Sequence, residues 1–151
     1  MTSLPPRIRL VPIDQENWEA VANLSVRDDQ AKFITPNVWS IAESKFHDAL
    51  QPTAIYANHA AVGFLMYARD PEEGNYWLYR LMIDREHQGR GYGEAAVALL
   101  INQLKRLPGC TELNVGYHHD NLTAERLYLR LGFQKTGIAP WSELTARLTW
   151  E

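Results

Sequence analysis

Cysteine, long apolar runs and positive charge are all scarce in this chain of 151 residues. A single cysteine, Cys110, excludes an intrachain disulfide framework and favours a reducing compartment, so we expect a cytoplasmic protein. No apolar run approaches the roughly 18 residues that a membrane span needs, and the first residues lack a signal peptide's apolar core. A formal net charge of -3 argues against a nucleic-acid partner, which would select a basic surface.

The composition is that of an ordinary globular protein, with 46% hydrophobic and 22% charged residues. The length suits one domain over residues 1–151 with a core of its own. The hydrophobic patterns predict strands at 7–11, 53–57, 61–67, 76–83, 112–117, 133–137 and 144–150, and helices at 14–26, 40–50, 91–106 and from Asn121. Ser40 and Glu43 form a candidate capping box for the second helix. This order predicts an α/β (α+β) fold, antiparallel first and then alternating strands and helices.

The hexapeptide Gln88-Gly89-Arg90-Gly91-Tyr92-Gly93 is the most informative segment, because it joins a strand to a strongly periodic helix. Glycines let a backbone come close to a ligand, and the first N–H groups of a helix have no partner inside it. The helix dipole adds partial positive charge at the same place. The segment therefore predicts a site for a phosphate-bearing cofactor.

Three phosphate-binding patterns were compared with this turn. A dinucleotide-binding fingerprint lacks its last glycine here, because Glu94-Ala95-Ala96 follow the three glycines of the turn, and Glu112 alone is weak support for its acidic residue. A P-loop requires a Lys-Ser or Lys-Thr pair, which the turn lacks. Gln88, Gly91 and Gly93 match the short pattern [Q/R]-x-x-G-x-[G/A]. That pattern alone is also typical of a surface turn.

A second motif decides among these interpretations. Asn121 is a good N-cap, Ala124, Leu127, Tyr128 and Leu131 share one helical face, and Gly132 is a good helix stop. With the strand at 76–83 and the glycine turn, this segment resembles the two central motifs of the GCN5-related N-acetyltransferase (GNAT) superfamily over residues 76–135. The resemblance implies a mixed, mostly antiparallel sheet flanked by helices, whose middle strands splay apart.

The resemblance implies acetyl-CoA as the cofactor and assigns residues to it. Main-chain N–H groups of the turn would hold the diphosphate, and the pantetheine arm would lie along the end of the preceding strand. Arg90 is either a phosphate contact or a solvated side chain, and Asn121 either a pantetheine contact, an N-cap or both. The cofactor-binding prediction comprises Leu81, Met82, Ile83, Gln88, Gly89, Arg90, Gly91, Tyr92, Gly93 and Asn121. No metal ligand is predicted.

Acyl transfer from a thioester releases a thiolate that needs a proton. The resemblance places a catalytic tyrosine at Tyr128, where a hydroxyl would act as general acid. An ordinary core tyrosine on the apolar face of its helix is the alternative.

The acceptor amine poses the second proton problem. A lysine-like amine has a pKa near 10.4, so at pH 7 only about one molecule in 2,500 is neutral, a handicap of about 4.6 kcal/mol. Some relatives carry a glutamate on the strand before the glycine turn, but residues 76–83 contain no carboxylate. The base stays unassigned, with a water held by Tyr79 and Glu43 as one arrangement. Asp84 is expected to be structural.

Residues 33–43 and 76–84 resemble bacterial diamine/spermidine N-acetyltransferases, so the expected acceptor is a small polyamine. A flexible polycation needs carboxylates and aromatic faces. Another amine (an amino acid, an antibiotic or a protein N-terminus) and a non-catalytic acyl-CoA sensor are the alternatives, and a homodimer stays open. The substrate-binding prediction comprises Asp28, Trp39, Glu43, Tyr76, Trp77 and Tyr79.

Overall fold

The structure, a computed structural model, describes residues 5–151. The strands are β1 (Ile8–Pro12), β2 (Gln51–Ala57), β3 (Ala60–Arg69), β4 (Tyr76–Ile83), β5 (Glu112–Tyr117), β6 (Gln134–Ile138) and β7 (Leu144–Thr149). The α-helices are α1 (Trp18–Ala22), α2 (Asn37–Ser44), α3 (Tyr92–Lys105) and α4 (Leu122–Arg130), with 3-10 helices at Asp28–Phe33 and Arg85–His87.

The strands form one seven-stranded sheet in the order β1-β2-β3-β4-β5-β7-β6. Every neighbouring pair is antiparallel except β4 and β5, which are parallel. Helices α3 and α4 contribute to a hydrophobic cluster on one face, and α1 and α2 to a cluster on the other. The α/β prediction with a mixed, mostly antiparallel sheet is confirmed.

The middle of the sheet is split. Strand β4 pairs with β5 only over Tyr76, Leu78 and the residue between them, although β4 continues to Ile83. On its other edge β4 carries a one-residue bulge: Arg80 lies opposite Met66 and Leu78 opposite Tyr67, so Tyr79 has no partner on β3. A bulge increases local twist and bends its strand. The predicted splay of the middle strands is confirmed, and it begins at the bulge.

The first predicted helix, at 14–26, is too long. The Asp14 carboxylate accepts the N–H groups of Glu16 and Asn17 at 2.8 and 3.0 Å, so the aspartate closes a turn ahead of α1. Past the end of α1, the Asp84 carboxylate accepts the N–H of Ser25 at 3.0 Å. This contact bridges 59 positions and draws the chain out of helical geometry. Asp84 therefore has the structural role expected for it.

The capping-box prediction at Ser40 and Glu43 is wrong. Ser40 lies in the middle of α2, which starts at Asn37 behind an N-cap at Pro36. The Asn37 side chain donates to the carbonyl of Val21 at 2.9 Å, and this buried bond between helices sets where α2 begins. Glu43 is therefore released from a capping role and can act elsewhere.

No helix within residues 5–151 combines the length and the apolar character that crossing a bilayer demands.

Candidate active site

The split in the sheet opens into a cavity of about 360 Å³ beside the glycine turn. Its walls are the end of β4, the turn, the first part of α3 and one face of α4. The chain from Val26 to Ile34, including a 3-10 helix, covers one side. Of the predicted cofactor residues, Leu81, Met82, Ile83, Gln88, Gly89, Gly91, Tyr92, Gly93 and Asn121 line this cavity. The structure therefore brings together nine of the ten residues that the sequence assigned to the cofactor.

The glycine turn has the geometry of an anion site. Gly89 and Gly91 have φ angles of 80° and 79°, which L residues with a Cβ rarely adopt. The N–H of Ala95 donates to the Gly91 carbonyl at 3.1 Å and is the first to bond back to the turn. The N–H groups of residues 92–94 consequently have no acceptor inside α3 and are available to a ligand.

Gly93 is required for packing. A Cβ at this position would lie 3.2 Å from Leu127 Cδ1 and 3.6 Å from Ile83 Cγ1. The absence of a side chain lets the first turn of α3 approach α4 and the end of β4. Gly93, Leu127 and Ile83 all line the cavity, so this close approach shapes its wall.

The remaining predicted members of the turn differ in placement. The Gln88 side chain donates to the Ile83 carbonyl at 2.8 Å and to Gln30 Oε1 at 2.9 Å, so it ties the turn to β4 and to the covering segment. Arg90 is exposed and does not line the cavity. Its contact with phosphate stays a prediction.

Sequence reasoning missed three basic side chains that line the cavity: Arg27, His87 and Arg130. Arg130 Nε donates to Glu94 Oε1 at 2.9 Å. Helical spacing was the available signal for Arg130, because Thr123, Leu127 and Arg130 follow one another on the same face of α4. For Arg27 the sequence carried no signal, since a tertiary contact brings its segment to the site.

Beyond the bulge, the main chain of β4 offers one free set of hydrogen-bonding groups to the split. The N–H of Asp84 donates toward β3, to the Val62 carbonyl at 2.8 Å. Because main-chain direction alternates along a strand, Ile83 and Leu81 then face the split. The Gln88 side chain already uses the Ile83 carbonyl, so Leu81 remains to pair with an extended ligand.

The second motif also falls at the cavity. Asn121 Oδ1 accepts the N–H of Ala124 at 3.2 Å, which makes Asn121 the N-cap of α4. Asn121 also lines the cavity, so both interpretations of this residue remain compatible. Gly132, with φ at 99°, follows the end of α4 and confirms the predicted helix stop.

A second, smaller cavity of about 80 Å³ adjoins the first where β4 and β5 separate, and Tyr128 lines it. The two cavities share Ile34, Leu81, Asn121 and Ala124 in their walls. The Tyr128 ring is 4% exposed and lies 5.7 Å from the ring of Tyr117 and 5.4 Å from that of Phe133. Burial, together with the negative charge of Glu143, raises the pKa of the Tyr128 hydroxyl. Tyr128 is therefore a protonated donor at the junction of the two cavities.

Tyr117 is the second buried phenol at this junction. Its hydroxyl donates to Glu125 Oε2 at 3.1 Å, and burial with this bond raises its pKa to about 12. An unfolded tyrosine ionises near pH 10, so between pH 10 and 12 the unfolded state loses a proton that the folded state keeps. The stabilisation from this group is therefore complete below pH 10 and is lost as the pH rises toward 12.

We expect alkali to destabilise the protein through Tyr117. Between pH 9 and 11 the free energy of unfolding should fall by about 1 kcal/mol more in the native protein than in Tyr117→Phe, which cannot ionise. Urea denaturation of both proteins at the two pH values measures the difference. Equal losses in the two proteins would show that the Tyr117 phenol has the same pKa in the folded and the unfolded state.

The face of the sheet that carries α2 holds an aromatic pair from the predicted acceptor set. Trp77 and Tyr79 stack with ring centroids 6.3 Å apart, and Trp141 from the β6–β7 turn packs edge-on against Trp77 at 6.0 Å. Tyr79 lines the small cavity. These three rings form a continuous aromatic wall that leads to the cavity beside Tyr128.

Glu43 reaches this face but meets a cation there: its Oε1 lies 3.7 Å from Arg80 Nη2. Glu43 does not line the cavity that Tyr79 lines, so the arrangement with a water between Glu43 and Tyr79 loses support. Of the six predicted acceptor residues, Tyr79 lines the small cavity and the other five do not. Trp39 is 68% exposed on α2, Asp28 pairs with Arg85 at 3.0 Å, and Tyr76 packs against the core on the opposite face.

Comparison with known proteins gives independent evidence. Residues 18–133 match the model of the Acetyltransferase (GNAT) family. A spermine/spermidine N(1)-acetyltransferase from Bacillus subtilis (strain 168) is 31% identical over 136 residues, which cover 86% of this chain and 90% of that protein.

Two solved structures share the fold. Aminoglycoside acetyltransferase AAC(6')-Ib in complex with coenzyme A superposes with a TM-score of 0.78 at 16% identity, over 95% of each chain. Spermidine N-acetyltransferase from Vibrio cholerae, in complex with CoA and spermine, gives a TM-score of 0.73 at 14% identity, over 94% of this chain and 95% of that one. At such low identity the likeness concerns the fold alone.

Proposed function

Because the chain belongs to the GNAT family of acetyltransferases, we propose that it acetylates a primary amine of a small polyamine such as spermidine, spermine or a diamine. The enzyme class and the donor, acetyl-CoA, follow from the family. The acceptor is supported by the 31% identical relative named for spermine and spermidine and by an aromatic, acidic approach to the cavity. The observation that carries the proposal is the junction of the two cavities, where Tyr128 meets the split in the sheet.

The donor fits the larger cavity from the glycine turn to the bulge. The N–H groups around Gly91 and Gly93 suit a diphosphate. The guanidinium groups of Arg27 and Arg130 also line this cavity, each paired with a carboxylate, Asp29 and Glu94 respectively. The amides of a pantetheine arm suit the free main-chain groups of Leu81, so that the arm lies where a β5 partner is missing. This placement sends the thioester end toward the small cavity and Tyr128.

Tyr128 then serves the leaving group. As the neutral amine nitrogen bonds to the acetyl carbon, the carbon–sulfur bond breaks and negative charge grows on sulfur. The nitrogen releases its surplus proton to solvent water. The hydroxyl of Tyr128, kept protonated by its raised pKa, donates a proton to that sulfur.

A thiol-release assay tests the proposal. Purified protein with acetyl-CoA should release coenzyme A when spermidine, spermine or putrescine is added at millimolar concentration. Amino acids, an aminoglycoside and a peptide with a free N-terminus form the comparison panel. Turnover of one of those and of no polyamine would assign another acceptor. Binding of coenzyme A without turnover of any amine would indicate an acyl-CoA sensor.

The cytoplasm is the proposed location, on the support of a single cysteine. A homodimer stays a prediction, which sedimentation equilibrium of the purified protein would test.

A further inference from the structure

Glu143 is a carboxylate at the small cavity that neither the motifs nor the sequence-based acceptor set identified. It is the last residue of the β6–β7 turn, directly before β7, and it lines the cavity together with Tyr79, Arg80 and Tyr128. The indole N–H of Trp141 donates to Glu143 Oε1 at 2.6 Å. The carboxylate is thereby attached to the end of the aromatic wall formed by Tyr79, Trp77 and Trp141.

The backbone around Glu143 is shaped to hold it there. Ser142 has a φ of 75°, and the N–H of Ala139 donates to the Glu143 carbonyl at 2.8 Å, so the turn is tight. On the neighbouring strand β5, Gly116 alternates with Val115 and Tyr117, which are buried in the core on the opposite face. A Cβ on Gly116 would lie 2.9 Å from Glu143 Oε1. The missing side chain on β5 therefore leaves the space that the carboxylate fills.

Glu143 is also the unbalanced charge of this cavity. Among the carboxylates discussed above, Glu43 pairs with Arg80, Asp28 with Arg85 and Glu94 with Arg130. Within residues 5–151, no Lys, Arg or His nitrogen lies within 4.0 Å of a Glu143 oxygen. Since Glu43 balances Arg80, the negative charge of Glu143 remains to attract a cation, and an electron-rich aromatic wall leads the same cation toward it.

We propose that Glu143, with Trp77, Tyr79 and Trp141, binds the ammonium group of the acceptor that is not acetylated, and so selects diamines and polyamines over monoamines. This inference rests on the proposed polyamine acetylation. It adds a subsite and a reason for the selectivity.

Charge complementarity separates this role from that of a catalytic base. A lysine-like ammonium has a pKa near 10.4, so at pH 7 all but about one molecule in 2,500 is charged. A carboxylate also stabilises the charged form of any amine that it contacts. Glu143 is therefore suited to the nitrogen that stays charged during the reaction.

Calorimetric titration of spermidine into the protein saturated with coenzyme A tests the subsite without turnover. Glu143→Gln keeps the shape and removes the charge, and it should weaken spermidine binding about tenfold, the size expected for a partly exposed charge-assisted bond. Glu19→Gln, which removes the same charge from exposed α1, is the matched control and should leave binding unchanged. Equal affinities of the Glu143→Gln protein and the native protein would overturn the proposal, as would the absence of spermidine binding to the native protein.

Steady-state kinetics with putrescine and n-butylamine, which share a four-carbon chain, test selectivity. In Glu143→Gln the preference for putrescine should fall about tenfold through KM, with kcat for both amines nearly unchanged. Gly116→Ala, which pushes the carboxylate aside and leaves its charge, should raise KM for putrescine in the same direction. A fall in kcat that is equal for both amines would overturn the subsite and indicate a base. Failure of the native protein to acetylate any polyamine would refute the proposed function, while the titration would still decide the subsite.

Discussion

Tyr128→Phe is expected to lower kcat about 100-fold or more, the usual contribution of a positioned general acid. The substitution removes one oxygen from a ring that is 4% exposed and packed between Tyr117 and Phe133, so the fold should persist. Affinity for coenzyme A should change little, because the glycine turn and Leu81 carry the donor contacts. Steady-state kinetics and calorimetric titration of coenzyme A measure the two quantities.

A matched control removes the same hydroxyl elsewhere in the same cluster. Tyr67 packs against the main core and lines neither cavity, so Tyr67→Phe should leave kcat unchanged. The native enzyme should also keep its kcat as the pH rises to 10, because the raised pKa of Tyr128 keeps the donor protonated. If the two variants had similar kcat values, Tyr128 would lose its role as the acid.

Gly91→Asp should weaken coenzyme A binding about 100-fold, or about 2.7 kcal/mol, the order of the repulsion between a carboxylate and a diphosphate at a partly exposed site. The position has a φ of 79°, and a Cβ there would meet no atom within 4 Å. Asparagine and aspartate tolerate this left-handed conformation better than most residues. The aspartate therefore adds charge at the turn with modest backbone strain.

Gly91→Asn is the matched control, since it has the same shape and the same backbone requirement without the charge. We expect Gly91→Asn to weaken binding about fivefold, from the lost glycine alone, so the two variants should differ about 20-fold. Calorimetric titration gives both values, and thermal melts check that the variants are equally folded. Equal affinities of the two variants would place the diphosphate away from this turn.

Local patterns predicted the parts of the site that lie within one segment. The strand Tyr76–Ile83, the strand Glu112–Tyr117, the glycine turn and the N-cap at Asn121 all occur where the sequence indicated. In each of them the residues that fix the structure are close in sequence: alternating side chains, glycines with positive φ, or a cap three residues from its partner.

Contacts between distant segments decided what the sequence could not predict. The bond from Ser25 to Asp84 ends the first helical region early, and the bond from Asn37 to Val21 moves the start of α2. Glu143 went unnoticed because its meaning depends on Gly116 and Tyr79, which three-dimensional packing sets near it. A glutamate in a turn carries no sign of such neighbours in its own segment.

The bulge at Tyr79 separates the alignment of β3 and β4 from the side chain that faces the acceptor. Without the bulge, a point substitution would change both. The offset between β3 and β4 depends on how many residues β4 contains, so any side chain at 79 preserves it, whereas deletion of one residue would realign the strands. The side chain itself faces the acceptor's approach. Substitutions at position 79 can therefore change which amines are accepted without moving the strands that hold the thioester.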